Sequence, residues 1–138
     1  MLIRTDNLEV RTATENELEA ILSVYRQNED FLSLGPESKA SVEMVLKDLK
    51  LSRDESGCFC GIYQTDGSIA GVVDFVPENF EGENGVSFIS LLMIAAPFRN
   101  QGLGTKVINM VEDEITNNFH SGTIHVAVQT NNPGALCF

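Results

Sequence analysis

The chain has 138 residues, 43% of them hydrophobic, with nine Lys and Arg against twenty Asp and Glu and a formal charge of −11. That length supports one domain with a real core, no apolar run approaches a membrane span, and the acidic balance argues against nucleic acid as a partner, because binding its phosphates needs a basic patch. Solubility accounts for such a charge, which is also compatible with long-range attraction of a cationic substrate. Met1-Leu2-Ile3-Arg4 does not open a signal peptide, since a charge and a polar stretch follow at once. Cys58, Cys60 and Cys137 form neither a disulfide set nor a zinc pattern. Reduced thiols in a cytoplasmic protein are expected.

In chain order, residues 8–11 read as a short strand. Thr14-Glu15-Asn16-Glu17 fits a capping box, and Leu18, Ile21, Leu22 and Tyr25 follow at helical spacing. Gly35-Pro36 breaks the chain before a second helix, whose predicted apolar stripe is Val42, Val45, Leu46 and Leu49. Residues 57–64 are rich in strand formers, with Cys58 and Cys60 on one face. Asp66-Gly67 predicts a two-residue hairpin, and residues 69–76 supply the returning strand. A polar loop over 77–85 precedes residues 86–95, the longest apolar strand candidate. A helix from 101 to about 119 turns Leu103, Val107, Met110, Val111, Ile115 and Phe119 inward, and Gly122 is expected to end it. Residues 123–128 make a final strand, and Asn131-Asn132-Pro133 opens a last short helix with Pro133 in its first turn. This order implies an α/β fold (α+β mixed sheet) with helices on both faces. Its last two strands should run parallel through a right-handed crossover.

Arg99-Asn100-Gln101-Gly102-Leu103-Gly104-Thr105 lies where the longest strand meets that helix. A strand turning through glycines into a helix gathers unpaired N–H groups at one point. The helix dipole adds partial positive charge, so the turn suits a phosphate or pyrophosphate. Gly102 and Gly104 lack a Cβ, which lets an anion approach the main chain. No Gly-Lys-Ser/Thr follows, so this is no Walker loop, and the third glycine of a dinucleotide fingerprint is missing. Lys106 in the first turn reads equally as a pyrophosphate neighbour or an ordinary exposed lysine.

R-x-x-G-x-G at a strand-to-helix junction resembles the acyl-CoA loop of the GNAT superfamily of N-acetyltransferases. The resemblance runs roughly from Arg11 to Phe138 and is strongest over residues 91–105. It implies a GNAT-like acyl-CoA N-acyltransferase fold in which Leu92, Met93 and Ile94 pair the pantetheine arm of acetyl-CoA as a neighbouring strand would. The physical need is an apolar strand whose backbone is freed by a bulge or splay. Arg99, Asn100, Gln101, Gly102, Leu103, Gly104 and Thr105 would hold the pyrophosphate, largely through the main chain. Asn132 begins an N-x-x-A segment, Asn132-Pro133-Gly134-Ala135, and would contact the arm or a bound water near the thioester. Coenzyme A is itself anionic, so Arg99, Lys106 and the helix start must supply a favourable local field.

The implied reaction is transfer of an acetyl group from acetyl-CoA to a primary amine of a small molecule, peptide or protein, without a metal. The alternative is a catalytically silent CoA-binding or regulatory module; a phosphate- or nucleotide-binding α/β domain is a third reading. Some relatives carry a glutamate at a position that falls near Phe88 here. Asp74, between Val73 and Phe75, is the candidate catalytic replacement, because a carboxylate in an apolar strand is costly unless paired or functional. Its plainer reading is a solvent-facing residue. Glu78 and Glu81 are candidate acceptor-lining residues that otherwise are simply solvated, and Ser87 and Ser90 could hydrogen-bond substrate. His120 and His125 form no metal geometry. Many relatives draw a proton donor from a tyrosine directly after the segment that Ala135-Leu136-Cys137-Phe138 matches, where this chain stops; Tyr25 and Tyr63 read as core or surface. The family also adds a closing two-stranded hairpin. A C-terminally truncated single domain over 1–138 is therefore expected, ahead of a homodimer completing the sheet or a short variant without catalysis.

Overall fold

The computed structural model describes residues 2–5, 7–29, 39–119 and 121–126. The strands are β1 Leu2–Arg4, β2 Leu8–Thr12, β3 Cys58–Gln64, β4 Ile69–Val76, β5 Val86–Ile94 and β6 Thr123–Val126. They form one six-stranded sheet in that order. Neighbours are antiparallel through β5, and β5 pairs with β6 in parallel. The helices α1 (Leu18–Arg26) and α2 (Val42–Asp54) follow β2, while α3 (Leu103–Asn118) joins β5 to β6. The mixed sheet and the parallel crossover are as expected. Strand β1 is an addition: three residues carry no periodicity, and its pairing with β2 defines it.

Alternation along each strand feeds two cores. On one face Val107, Met110, Val111 and Ile115 of α3 pack on Val10, Cys60, Ile62, Val73, Phe75 and Ile89. On the other, Ile21, Leu22, Val24 and Tyr25 of α1 join Met44 and Val45 of α2 over Phe59, Val72 and Met93. Cys58 and Cys60 share the α3 face as expected. Burial pushes both thiols up, Cys60 to about 12, so they remain protonated. The capping box forms, with the Glu17 carboxylate accepting from the Thr14 N–H at 3.3 Å.

Three local expectations are corrected. Helix α2 is turned slightly from its predicted stripe: Val45 is buried and Leu49 packs on the core as expected, but Val42 and Leu46 are 39% and 44% exposed while Met44 and Ser52 face inward. The rotation brings Asp48 and Ser52 to a buried hydroxyl and a half-buried carboxyl. An unmet buried polar group costs about 1–3 kcal/mol, comparable with exposing one aliphatic side chain. The β3–β4 hairpin has three loop residues rather than two: the Gly67 N–H bonds the Gln64 carbonyl at 3.0 Å and the Gln64 N–H bonds Ser68 at 2.9 Å. Asp66 stabilises the turn by accepting the Ser68 N–H, and Gly67 closes it at φ +89°. Helix α3 ends in the extended Phe119 (φ −132°, ψ 159°), not at Gly122, whose N–H bonds the Gly85 carbonyl at 2.9 Å. Residues 127–128 and the expected helix start at Asn131-Asn132-Pro133 lie outside the described residues. Among the described residues, no helix is long and apolar enough to cross a membrane.

Candidate functional site

Strand β5 is shared unequally between its neighbours. Asp74 of β4 pairs with Leu91 and Phe75 with Ile89, so Ser90 is the extra residue of a bulge. On the other side residues 86–89 pair with Thr123–Val126, the described part of β6. From residue 90 to 94 the outer edge of β5 faces no strand among the described residues. The Ala95 N–H bonds the Ala70 carbonyl at 2.8 Å. By alternation the main-chain groups of Met93 therefore face β4, and those of Leu92 and Ile94 face the open edge. Met93 packs under α1 and α2 while Leu92 and Ile94 pack on the α3 side. Both side-chain faces are thus committed, and the edge offers backbone.

The turn beyond β5 is set by two left-handed residues, Asn100 (φ +61°) and Gly102 (φ +77°), the second being the N-cap of α3. No atom stands within 4 Å of where a Cβ on Gly102 would lie. Glycine is needed there for its backbone angle, and the space in front is open. The first helical bond runs from the Lys106 N–H to the Gly102 carbonyl at 3.1 Å. The N–H groups of Leu103, Gly104 and Thr105 consequently have no intrahelical acceptor and lie at the positive end of the helix dipole. Side chains at the turn largely brace it. The Arg99 guanidinium donates to the Ile94 carbonyl at 3.2 Å and to the Gln27 carbonyl. Asn28 also donates to Ile94, Gln27 accepts the Ala96 N–H at 2.7 Å, and Gln101 donates to Pro97 at 3.0 Å. Lys106 donates to Asn7 at 2.5 Å. An open strand edge that runs into a helix start suits an extended amide-bearing ligand with a phosphate at one end. Asn132 lies outside the described residues, as does His120.

Asp74 does not face solvent. It lies on the α1–α2 side of β4, where the buried Ser52 hydroxyl of α2 donates to it at 2.6 Å. Burial pushes its carboxyl up to about 6; the Ser52 hydrogen bond opposes the rise, and Asp48 and Glu55 add to it. Gly57 makes room for that hydroxyl, since a Cβ there would stand 2.7 Å from the Ser52 oxygen. Both tyrosines are core residues. Tyr25 donates to Asp48 at 2.7 Å and Tyr63 to Glu17, and burial holds both phenols well above their ordinary range. Among the described residues, no group of three His, Cys, Asp or Glu side chains could hold a metal.

A family model described as the Acetyltransferase (GNAT) family matches residues 18–138. The chain belongs to the GNAT acetyltransferase family. No protein of curated function matches the sequence. Its fold is similar to that of a Salmonella typhimurium acetyltransferase that modifies the N-terminal serine of ribosomal protein L7/L12, at TM-score 0.79 and 17% identity, covering 99% of this chain and 80% of that one. A GNAT-family acetyltransferase from Bacillus anthracis aligns at TM-score 0.75 and 16% identity, covering 96% and 76%. An acetyltransferase from Thermus thermophilus aligns at 0.74 and 18%, covering 99% and 84%. At these identities the likeness concerns the fold.

In this GNAT chain the far end of β5 is built by side chains distant in sequence. The buried Ser87 hydroxyl donates to the Pro77 carbonyl at 2.6 Å and also bonds Ser121, so it ties the 77–85 loop rather than facing a ligand. The exposed Ser90 donates to the Asp74 carbonyl at 3.2 Å. Glu78 is half-buried and Glu81 exposed, and between them Phe80 stacks on Phe88 with ring centroids 4.4 Å apart. Sequence reasoning missed this stack, Ser52, and the Gln27-Asn28 brace. The brace contacts span 66 to 72 residues, and no local pattern marks them.

Proposed function

We propose that this chain is an N-acetyltransferase that moves an acetyl group from acetyl-CoA to a primary amine of a small molecule, peptide or protein. The observation that carries this reading is the open β5 edge running into the Gly102 helix start. The main chain of Leu92 and the N–H of Ile94, whose carbonyl is taken by Arg99 and Asn28, would pair the pantetheine arm, and the N–H groups of Leu103, Gly104 and Thr105 would receive the pyrophosphate, with Arg99 bracing the junction. Acetyl-CoA would supply an acetyl group activated as a thioester. The chain's own contribution is proton transfer, since an amine arrives as ammonium and must shed a proton before its nitrogen can attack. Asp74, level with the bulge and raised to about 6, is charged near neutrality and basic enough to take that proton. A cytoplasmic location is part of this reading, supported by the free thiols of Cys58 and Cys60.

One observation favours a second reading, a catalytically silent CoA-binding or regulatory module. Both tyrosine hydroxyls already donate to carboxylates, so among the described residues neither is available as an acid for a departing thiolate. Thermal shift and thiol release separate the two. Acetyl-CoA and CoA should raise Tm while ATP does not, and at least one amine in a broad panel should release thiol. Binding without turnover on any acceptor would establish the silent module, and stabilisation by ATP alone would remove both readings.

A further inference from the structure

We propose that Ser52 of α2 is a positioning residue for the proton transfer: its buried hydroxyl fixes the Asp74 carboxylate in a gap of the covered strand β4 and holds it in the state that accepts a proton. The proposal rests on the acetyl-transfer reading, in which Asp74 is the base.

Every residue of β4 from 70 to 76 is buried except Asp74, which is half-buried. A ligand can therefore reach this carboxyl where the strand on either side of it is closed. The main chain here is fixed, since Asp74 lies beside the bulge and its carbonyl accepts from Ser90 at 3.2 Å. An aspartate still has two side-chain torsions, which main-chain bonds do not set. Ser52 sets them. From the last turn of α2 its hydroxyl donates to Asp74 Oδ1 at 2.6 Å. A serine in a helix ordinarily gives that proton to the carbonyl four residues back or to water. Ser52 is 4% exposed and gives it to a strand residue 22 positions away. Room for the contact is built in at Gly57, where a Cβ would stand 2.7 Å from the Ser52 oxygen and 3.2 Å from the Phe75 carbonyl.

The surroundings of Asp74 otherwise favour the neutral acid, which cannot serve as a base. Burial raises its pKa to about 6, and the charges of Asp48 and Glu55 on α2 add to the rise. Against them stand the Ser52 hydroxyl and, more weakly, the Phe75 N–H. The other ionisable neighbours do not take over that role. Tyr25 of α1 donates to Asp48, and Cys58 and Cys60 of β3 stay protonated. The remaining charged side chains of α1 and α2 are all exposed, and β5 carries no ionisable side chain. Ser52 thus helps decide the pH above which Asp74 is charged. The step it serves moves one proton from the ammonium nitrogen to a carboxylate oxygen and frees the lone pair that attacks the thioester; Asp74 then returns the proton to water.

The test sets Ser52→Ala against Ser52→Thr in the full chain. Carbon NMR of the side-chain carboxyls follows Asp74 without ligand, its resonance assigned by its loss in Asp74→Asn. In Ser52→Ala that titration should move up by about one pH unit, the worth of a hydrogen bond to a charged group. The acid limb of kcat/KM for an amine should move with it. Plateau kcat should fall about tenfold while KM for acetyl-CoA is unchanged. Ser52→Thr keeps the hydroxyl and should restore both midpoints and most of kcat, and cooperative thermal unfolding shows that each variant folds. A carboxyl titration unmoved in Ser52→Ala overturns the proposal. So does an equal displacement in Ser52→Thr, which assigns the effect to packing, or a moved titration with an unmoved acid limb. If the titration moves and no amine releases thiol, the acetyl-transfer reading fails alone, because the hold on Asp74 is read without turnover.

Discussion

The two ends of β5 are built on different principles. At the Ile94 end the working groups are backbone: an open strand edge, two left-handed residues and the first N–H groups of α3. At the Phe88 end they are side chains, with Asp74 held by Ser52 from α2 and Phe80 held on Phe88 by a pinned loop. Main-chain groups suit a ligand portion that is always the same, as the pyrophosphate and amide-bearing arm of the proposed acetyl-CoA would be. Side chains suit the portion that distinguishes one acceptor from another, because they can change without disturbing the fold.

The sharpest way to break this comparison is Asp74→Asn. If the side-chain end performs the proton transfer, kcat falls about a hundredfold or more while KM for acetyl-CoA stays put. A loss of only a fewfold would return Asp74 to a structural role. The reciprocal change is Gly102→Val at the backbone end. A β-branched residue at φ +77° strains the helix start by about 1–3 kcal/mol. CoA affinity, read by calorimetry, should fall about tenfold or more while the amine pH profile is unmoved. If both variants alter CoA and amine parameters together, the ends are not separate devices.

The same division governs what the sequence made legible. The glycine turn was readable because Gly102 carries its reason locally, in an angle that other residues adopt only under strain. The alternating strands and the inward stripe of α3 were readable for the same reason. Helix α2 was misjudged because its rotation answers Tyr25 and Asp74, partners 23 and 22 residues away. The bulge at Ser90 is a register relation between two strands and belongs to neither segment alone. Asp74 itself could be singled out, as a carboxylate in an apolar strand, but its raised pKa depends on a helix packed above it.

That raised pKa makes a stability prediction. Asp74 has a folded value of about 6 against an ordinary 3.8, so the folded chain holds the proton more tightly than the unfolded one. Its contribution is fully present below about pH 3.8 and is lost as pH rises through about 6. Denaturant midpoints should show this group costing about 2 kcal/mol by neutral pH, a figure discounted for partial exposure. Asp74→Asn should flatten that slope and so stabilise the chain at neutral pH even as it removes activity. A slope unchanged in the variant would assign the acid stability to another carboxylate.

The smallest effect tests the backbone end most closely. From sequence, Arg99 reads as a phosphate ligand. In the fold its guanidinium donates instead to the carbonyls of Ile94 and Gln27, joining the end of β5 to the residue after α1. Bonds this exposed are worth about 0.5–1 kcal/mol together. Arg99→Ala should therefore lower the stability of the ligand-free chain by that amount in chemical denaturation. It should weaken CoA binding less than Gly102→Val does, because the N–H groups proposed as the anion site remain. The opposite pattern, unchanged stability with a larger loss of CoA affinity, would mean that the guanidinium swings to the phosphate on binding. The backbone would then set the shape of the site and the side chain its strength.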